Sequence, residues 1–154
     1  MDTREQYEKI FQYCYSRVAN RDTAEDITQE TFLRFLEHPE YQKSGKEIQY
    51  LYTIARNLCI DEYRKIPTET LSDETENIPE QSKGETGWID SMILRKILDR
   101  LPDEEREIIV LRYVSELSVS EIAGIYQTSW FTMSRRIKRI LDKMRKELKE
   151  EGLE

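Results

Sequence analysis

Histidine occurs once in this 154-residue chain, cysteine twice, proline four times and glycine five times. Each scarcity removes a class of chemistry. His38 has no second histidine or thiol at metal-ligand spacing, and Cys14 and Cys59 lie far apart in apolar stretches, so buried reduced thiols are expected rather than a zinc site or a disulfide framework. A Gly-rich phosphate loop, an HExxH string and a Ser/His/Asp pattern are all missing, which predicts a chain with no metal, no cofactor and no enzymatic reaction of its own. No segment approaches the roughly 20 apolar residues of a membrane span. The start, MDTREQYEKI, has neither the basic nor the apolar region of a secretory leader, so a cytoplasmic protein without membrane insertion is expected.

What is abundant is charge: 36% of the residues, with 31 acids against 24 bases and a net of -7. That sum argues against a nucleic-acid partner, because phosphate binding draws on Lys and Arg. The distribution argues the other way. Residues 67–87 hold six acids and one lysine, whereas residues 135–149 hold eight Lys/Arg and two acids, so acidity is concentrated in the middle and basicity near the end.

The middle segment, IPTETLSDETENIPEQSKGETG (66–87), has two prolines, two glycines and no aromatic residue, a composition unable to bury a core. It reads as a flexible acidic linker, able to span roughly 70 Å when extended. The expected fold is therefore all-α, with two small helical domains, 1–65 and 88–150, joined by that linker.

In the first block, Tyr7, Ile10, Phe11, Cys14, Tyr15 and Val18 recur at helical spacing over about Thr3–Asn20. A second helix, capped near Asp22 or Thr23, carries Ile27, Phe32, Phe35 and Leu36 until HPEY breaks it. A third covers about Glu47–Lys65, with Ile48, Leu51, Ile54, Ala55 and Leu58 on its core face. On its other side Tyr52, Arg56, Ile60 and Tyr63 cluster, flanked by Asn57 and Arg64. Rings that stack on unpaired bases beside guanidinium groups that neutralise phosphate suit single-stranded nucleic acid. The alternative is that some of these tyrosines cover a neighbouring helix.

In the second block Met92, Ile93, Ile97, Leu98 and Leu101 form one stripe, and Pro102, Asp103 and Glu104 open a new helix. Ser118 with Glu121 three residues on is a capping box. A short turn at Gln127–Ser129 then leads into WFTMSRRIKRILDKMRKEL, so the order of elements is that of a helix-turn-helix. In this last helix Met133, Ile137, Ile140, Leu141, Met144 and Leu148 face inward, while Phe131, Thr132, Arg135, Lys138, Arg139 and Lys146 face outward. Hydroxyl and aromatic groups in the first turn with cations beyond match a major-groove reader. Trp130 falls near the inward face and is expected in the core. Phe131 points out, either to a thymine methyl or as a plain surface ring.

The strings AEDITQETFLRFL, IQYLYTIARNLCIDEYRK and LPDEEREIIVLRYVSELSVSEIAGIYQTS, in that order with an acidic linker before the third, resemble the sigma-70 family, extracytoplasmic-function (ECF) subfamily, across nearly the whole chain. The resemblance implies a region 2 helical bundle (1–65) that binds core RNA polymerase and the minus-ten element, and a region 4 helix-turn-helix (88–150) that binds the minus-thirty-five element. It places Asp26, Gln29, Glu30 and Phe32 at the polymerase, and Tyr52, Arg56, Asn57, Asp61 and Arg64 at minus-ten DNA, joined there by Tyr63. Asn57 and Asp61 have a structural alternative, bonding within the block. The loop PEYQKSGKE would hold a flipped non-template base. Thr132, Arg136 and Arg139 match the family's recognition helix, whereas Gln127 stands where a turn glycine is usual, and Trp130 and Phe131 depart from the pattern.

The partners implied are core RNA polymerase, promoter DNA and, as a candidate, an anti-sigma factor. The linker is either an acidic mimic of an RNA backbone in a basic channel or a solubilising spacer. Two other readings stay open at this point: a stand-alone helix-turn-helix transcriptional regulator and a helical protein-interaction module.

Overall fold

The computed structural model describes residues 2–65 and 88–151. The chain divides into two compact units, Met1–Ile78 and Pro79–Glu154, and among the described residues every regular element is helical. The linker read at 66–87 lies outside the described residues. None of the described helices is long and apolar enough to cross a membrane.

The first unit begins with α1 (Thr3–Val18), α2 (Arg21–Leu36), α3 (Pro39–Lys43) and α4 (Glu47–Lys65). Asp2 caps α1 by accepting from the N–H groups of Arg4 and Glu5, and Ala19 ends it in the left-handed region at φ 55°. The cap of α2 is Asn20, which accepts from Thr23 N–H at 2.9 Å, two to three residues before the expected Asp22 or Thr23. Helices α1, α2 and α4 pack on one another, and α3 bridges α2 to α4.

The core of this unit holds Ile10, Tyr13, Cys14 and Val18 from α1, Ala24, Ile27 and Phe35 from α2, and Leu51, Tyr52, Ala55 and Cys59 from α4. Both cysteines are buried and free. Thr28 and Thr31 are fully buried, yet each hydroxyl donates to the carbonyl four residues back, Ala24 and Ile27 respectively, at 2.7 Å. Their polar groups therefore carry no desolvation penalty.

The buried face of α4 is rotated from the one the spacing predicts: Tyr52 and Cys59 are inside, while Ile48, Ile54 and Leu58 are only half-buried. On α1 Tyr13, outside the apolar stripe read from the spacing, is buried, while Phe11 and Tyr15 of that stripe are half-buried. The two tyrosines account for each other, meeting edge to face at 5.6 Å and 76°.

The second unit contains α5 (Trp88–Arg100), α6 (Asp103–Ile109), a π-helical stretch (Val110–Val114), α7 (Val119–Ile125) and α8 (Trp130–Glu150). The widened turn is closed by Ser115 N–H donating to Val110 O, five residues back, at 2.9 Å. It ends over Glu116, at φ 64°, with Leu117 N–H on Leu111 O at 2.9 Å. The guanidinium of Arg106 donates to the carbonyls of Leu98 and Leu101 at 3.1 Å each, satisfying the exposed end of α5 and fixing the α5–α6 corner.

Helix α8 packs on α5, α6 and α7 around Ile97, Leu101, Ile108, Leu111, Leu117, Ile122, Met133, Ile137, Ile140 and Met144. Met92, expected on the core stripe of α5, is exposed. Arg100 meets Glu147 at 3.0 Å, and Lys96 already faces Glu151 just past the end of α8. Because the two helices run antiparallel, Met92 lies one turn beyond the partner it would pack on.

Candidate nucleic-acid interface

The turn before α8 is a Schellman cap. Thr128 N–H donates to Ala123 O at 2.9 Å and Gln127 N–H to Gly124 O at 3.1 Å, with Gln127 left-handed at φ 56°. Glycine is the residue that adopts this conformation without strain, so a glutamine here reproduces a glycine's backbone at a cost. Upstream, Ser118 and Glu121 form both bonds of the expected capping box, at 3.1 and 2.8 Å. Downstream, Ser129 caps α8: its Oγ accepts from Thr132 N–H at 3.1 Å and donates to Thr132 Oγ1 at 3.0 Å. Thr132, half-buried, thereby keeps its own hydroxyl proton available for a further acceptor.

Beyond that turn Arg135, Lys138, Arg139 and Lys146 are exposed, and among the described residues none of them has a carboxylate within ion-pair distance. Two further cations of the helix are engaged: Lys143 with Glu105 at 2.8 Å and Arg145 with Asp142 at 2.9 Å. Arg136, expected among the DNA contacts, is half-buried, pairs with Glu104 at 3.4 Å and lies 5.9 Å from the ring centre of Tyr126. The Tyr126 hydroxyl in turn donates to the buried Glu107. The structure thus ties Arg136 to α6 and α7 and leaves its neighbours to solvent.

Phe131 is 69% exposed, as expected. Trp130 is 48% exposed and corrects the expectation of core packing. Helical side chains lean toward the N-terminus over the turn before their own. A residue at the first helical position has no such turn to pack on, and the Trp130 ring stays exposed, set edge-on to Phe131 at 5.2 Å and 86°.

In the first unit the six residues read as one surface on α4 separate. Asn57, Asp61, Tyr63 and Arg64 are exposed, Arg56 is half-buried, and Tyr52 is 1% exposed against Tyr13. The expectation that Tyr52 projects outward is therefore corrected: along the line Tyr52, Arg56, Tyr63 the helix passes from core to solvent. The segment before α4, expected as a loop, contains the one-turn helix α3. There Tyr41 stacks on Tyr50 at 4.3 Å and 21°, with Phe35 at 6.3 Å and His38 at 4.8 Å.

On α2, Asp26 and Gln29 are exposed, and Glu30 is half-buried and paired with Arg34 at 2.9 Å. Phe32 is half-buried against Tyr7, ring centres 5.4 Å apart. The sequence reading missed Leu33, which is exposed along with Leu36 beside these residues. An aliphatic residue on the polar side of an amphipathic helix is the signal that identifies it.

Comparison with known proteins matches residues 4–66 to the family described as Sigma-70 region 2, and residues 97–146 to that described as Sigma-70, region 4. The chain is similar to the ECF RNA polymerase sigma factor SigW of Bacillus subtilis (strain 168), 34% identical over 159 residues that cover 93% of this chain and 84% of the relative. It is similar to the RNA polymerase sigma factor SigV of the same strain, 32% identical over 145 residues, with 94% and 87% covered. Among solved structures it shares a fold with the sigma factor RpoE in a complex with the anti-sigma factor NepR from Bartonella quintana. The TM-score is 0.60 at 22% identity, covering 94% of this chain and 92% of that one.

Proposed function

The chain belongs to the ECF group of the sigma-70 family, and from that premise we propose how its two units divide the work of directing core RNA polymerase to promoters. It is a sigma factor: it binds core polymerase, recognises promoter DNA and directs transcription initiation, a regulatory rather than an enzymatic role. The site of that work is the cytoplasm. The second unit holds the minus-thirty-five duplex through the outer side of α8, with Arg135, Lys138 and Arg139 on phosphates and Phe131 and Thr132 at base edges. Arg136 keeps α8 docked on α6.

The first unit meets the minus-ten element through Asn57, Asp61, Tyr63 and Arg64, with Arg56 at the margin and Tyr52 supporting α4 from inside. A ring and a guanidinium side by side serve stacked, unpaired bases. Asp26, Gln29, Glu30 and Phe32, with exposed Leu33 and Leu36, form the polymerase-facing side of α2. An anti-sigma factor acts by covering such surfaces.

The observation that carries the reading is the row of exposed cations on α8, unpaired among the described residues and set immediately after a Schellman turn. A stand-alone regulator, the alternative left open by the residues alone, is not favoured, since it has no use for a match to region 2.

The test is reconstitution with core polymerase. Arg135→Ala combined with Arg139→Ala is expected to abolish promoter-directed transcripts while leaving core binding intact. Unchanged start-site selection by the double variant rejects α8 as the duplex reader.

A further inference from the structure

The Trp130–Phe131 pair is unusual in its setting. It is the most exposed aromatic pair of the second unit's helix-turn-helix, at 48% and 69%, and it occupies the first two positions of α8. The opening turn of the second helix is the part of a helix-turn-helix that meets base edges. Phe131 shares a line with Arg135 and Lys138, at i, i+4 and i+7, so cations that settle on phosphates carry this ring to the groove floor. The edge-on contact at 5.2 Å restricts both side chains before any ligand arrives, which lowers the ordering cost of binding.

Neither ring makes a hydrogen bond to a base acceptor through carbon, and the indole N–H only donates. What an apolar ring can recognise in the major groove is the C5-methyl group of thymine.

We infer that Trp130 and Phe131 are specificity-determining residues that make this chain's upstream promoter box depend on a thymine methyl. The inference rests on α8 being the duplex reader. Phe131 makes the contact, and Trp130 shields it from water and holds its ring in place. Exchanging thymine for deoxyuridine removes that methyl and leaves every hydrogen-bonding group of the pair unchanged.

The experiment uses holoenzyme assembled from the full chain and core RNA polymerase. Duplexes selected by it from a pool randomised over the upstream box are resynthesised with deoxyuridine at each thymine in turn. At one position at least, the exchange is expected to weaken wild-type binding by about fourfold, the factor that burying one methyl-sized group supplies. Phe131→Ala is expected to bind both duplexes equally, and Phe131→Leu to retain part of the discrimination. Wild-type indifference to the exchange at every thymine overturns the inference, as does a Phe131→Ala variant that loses core binding and keeps the discrimination, which would make the rings a protein contact. Arg135→Ala with Arg139→Ala is run in parallel: if it impairs upstream binding while the exchange has no effect, only the role of the rings falls; if it too has no effect, the reading of α8 falls with it.

Discussion

The two candidate surfaces use charge differently. On α8 the exposed positions Arg135, Lys138, Arg139 and Lys146 carry one sign, and the acid on the same line, Asp142, is taken up by Arg145 at 2.9 Å. On α4 the exposed positions mix an amide, an acid, a ring and a base: Asn57, Asp61, Tyr63 and Arg64. A duplex offers regular rows of phosphate on both sides of its groove, and a one-sign row of cations answers it. Separated strands offer base faces and edges, which call for a ring and for donors and acceptors of both kinds. On the proposed reading, a chain of net charge -7 binds DNA through cations that are few, aligned and, among the described residues, unpaired.

The sharpest way to break this comparison is the loss of promoter-directed transcription expected for Arg135→Ala with Arg139→Ala. In a salt titration of promoter binding, the same variant is expected to lower the slope of log affinity against log salt by about 2, one unit for each phosphate contact removed. An unchanged slope would mean that these cations do not meet phosphate.

The second way sets Tyr52 against Tyr63. Tyr52→Ala empties a core position and is expected to destabilise the first unit by about 3–5 kcal/mol. Tyr63→Ala, at an exposed site, is expected to change stability by less than about 0.5 kcal/mol while weakening strand opening at the promoter. Denaturant unfolding and a promoter-melting assay separate the two, and equal destabilisation would contradict the burial seen here.

Smaller effects sharpen the division within α8 itself. Arg136→Ala loses a partly exposed ion pair and a ring contact, so about 1 kcal/mol of stability is expected to go. The salt slope should barely move, in contrast to Arg135. Gln127→Gly relieves a left-handed residue in the turn and is expected to raise the second unit's stability by roughly 0.5–1 kcal/mol, read as a higher denaturant midpoint.

The two regions also differ in how much of them was legible. In α8 aliphatic residues lie on one side and cations on the other, so one wheel orientation satisfies both, and of the inward set Met133, Ile137, Ile140 and Met144 are buried while Leu141 and Leu148 are half-buried. In α4, Ile48, Tyr50, Leu51, Tyr52, Ile54, Leu58, Ile60 and Tyr63 are spread around the axis. Hydropathy cannot rank these faces. The ring of Tyr13 on α1, outside the apolar stripe that spacing picks on that helix, chooses for it, because each ring is the other's cover.

The five-residue α3, the widening at Val110–Val114 and the exposure of Leu33 have the same character. A helix this short has no full period to detect. The π turn is a matter of which carbonyl a single N–H reaches. The exposure of a leucine depends on whether a neighbour arrives.

What the order of residues determined alone was local: helix periods, the box at Ser118 and Glu121, the turn after α7, and the segregation of acid from base along the chain. Each depends on groups within a turn or two of one another, and the backbone brings those together wherever the chain goes. What only the tertiary structure decided was which of two similar faces turns inward, which arginine is spent on Glu104, and which rings at the start of α8 stay in water. Those outcomes depend on partners tens of residues away, and burial is a property of the assembled neighbours rather than of any side chain by itself.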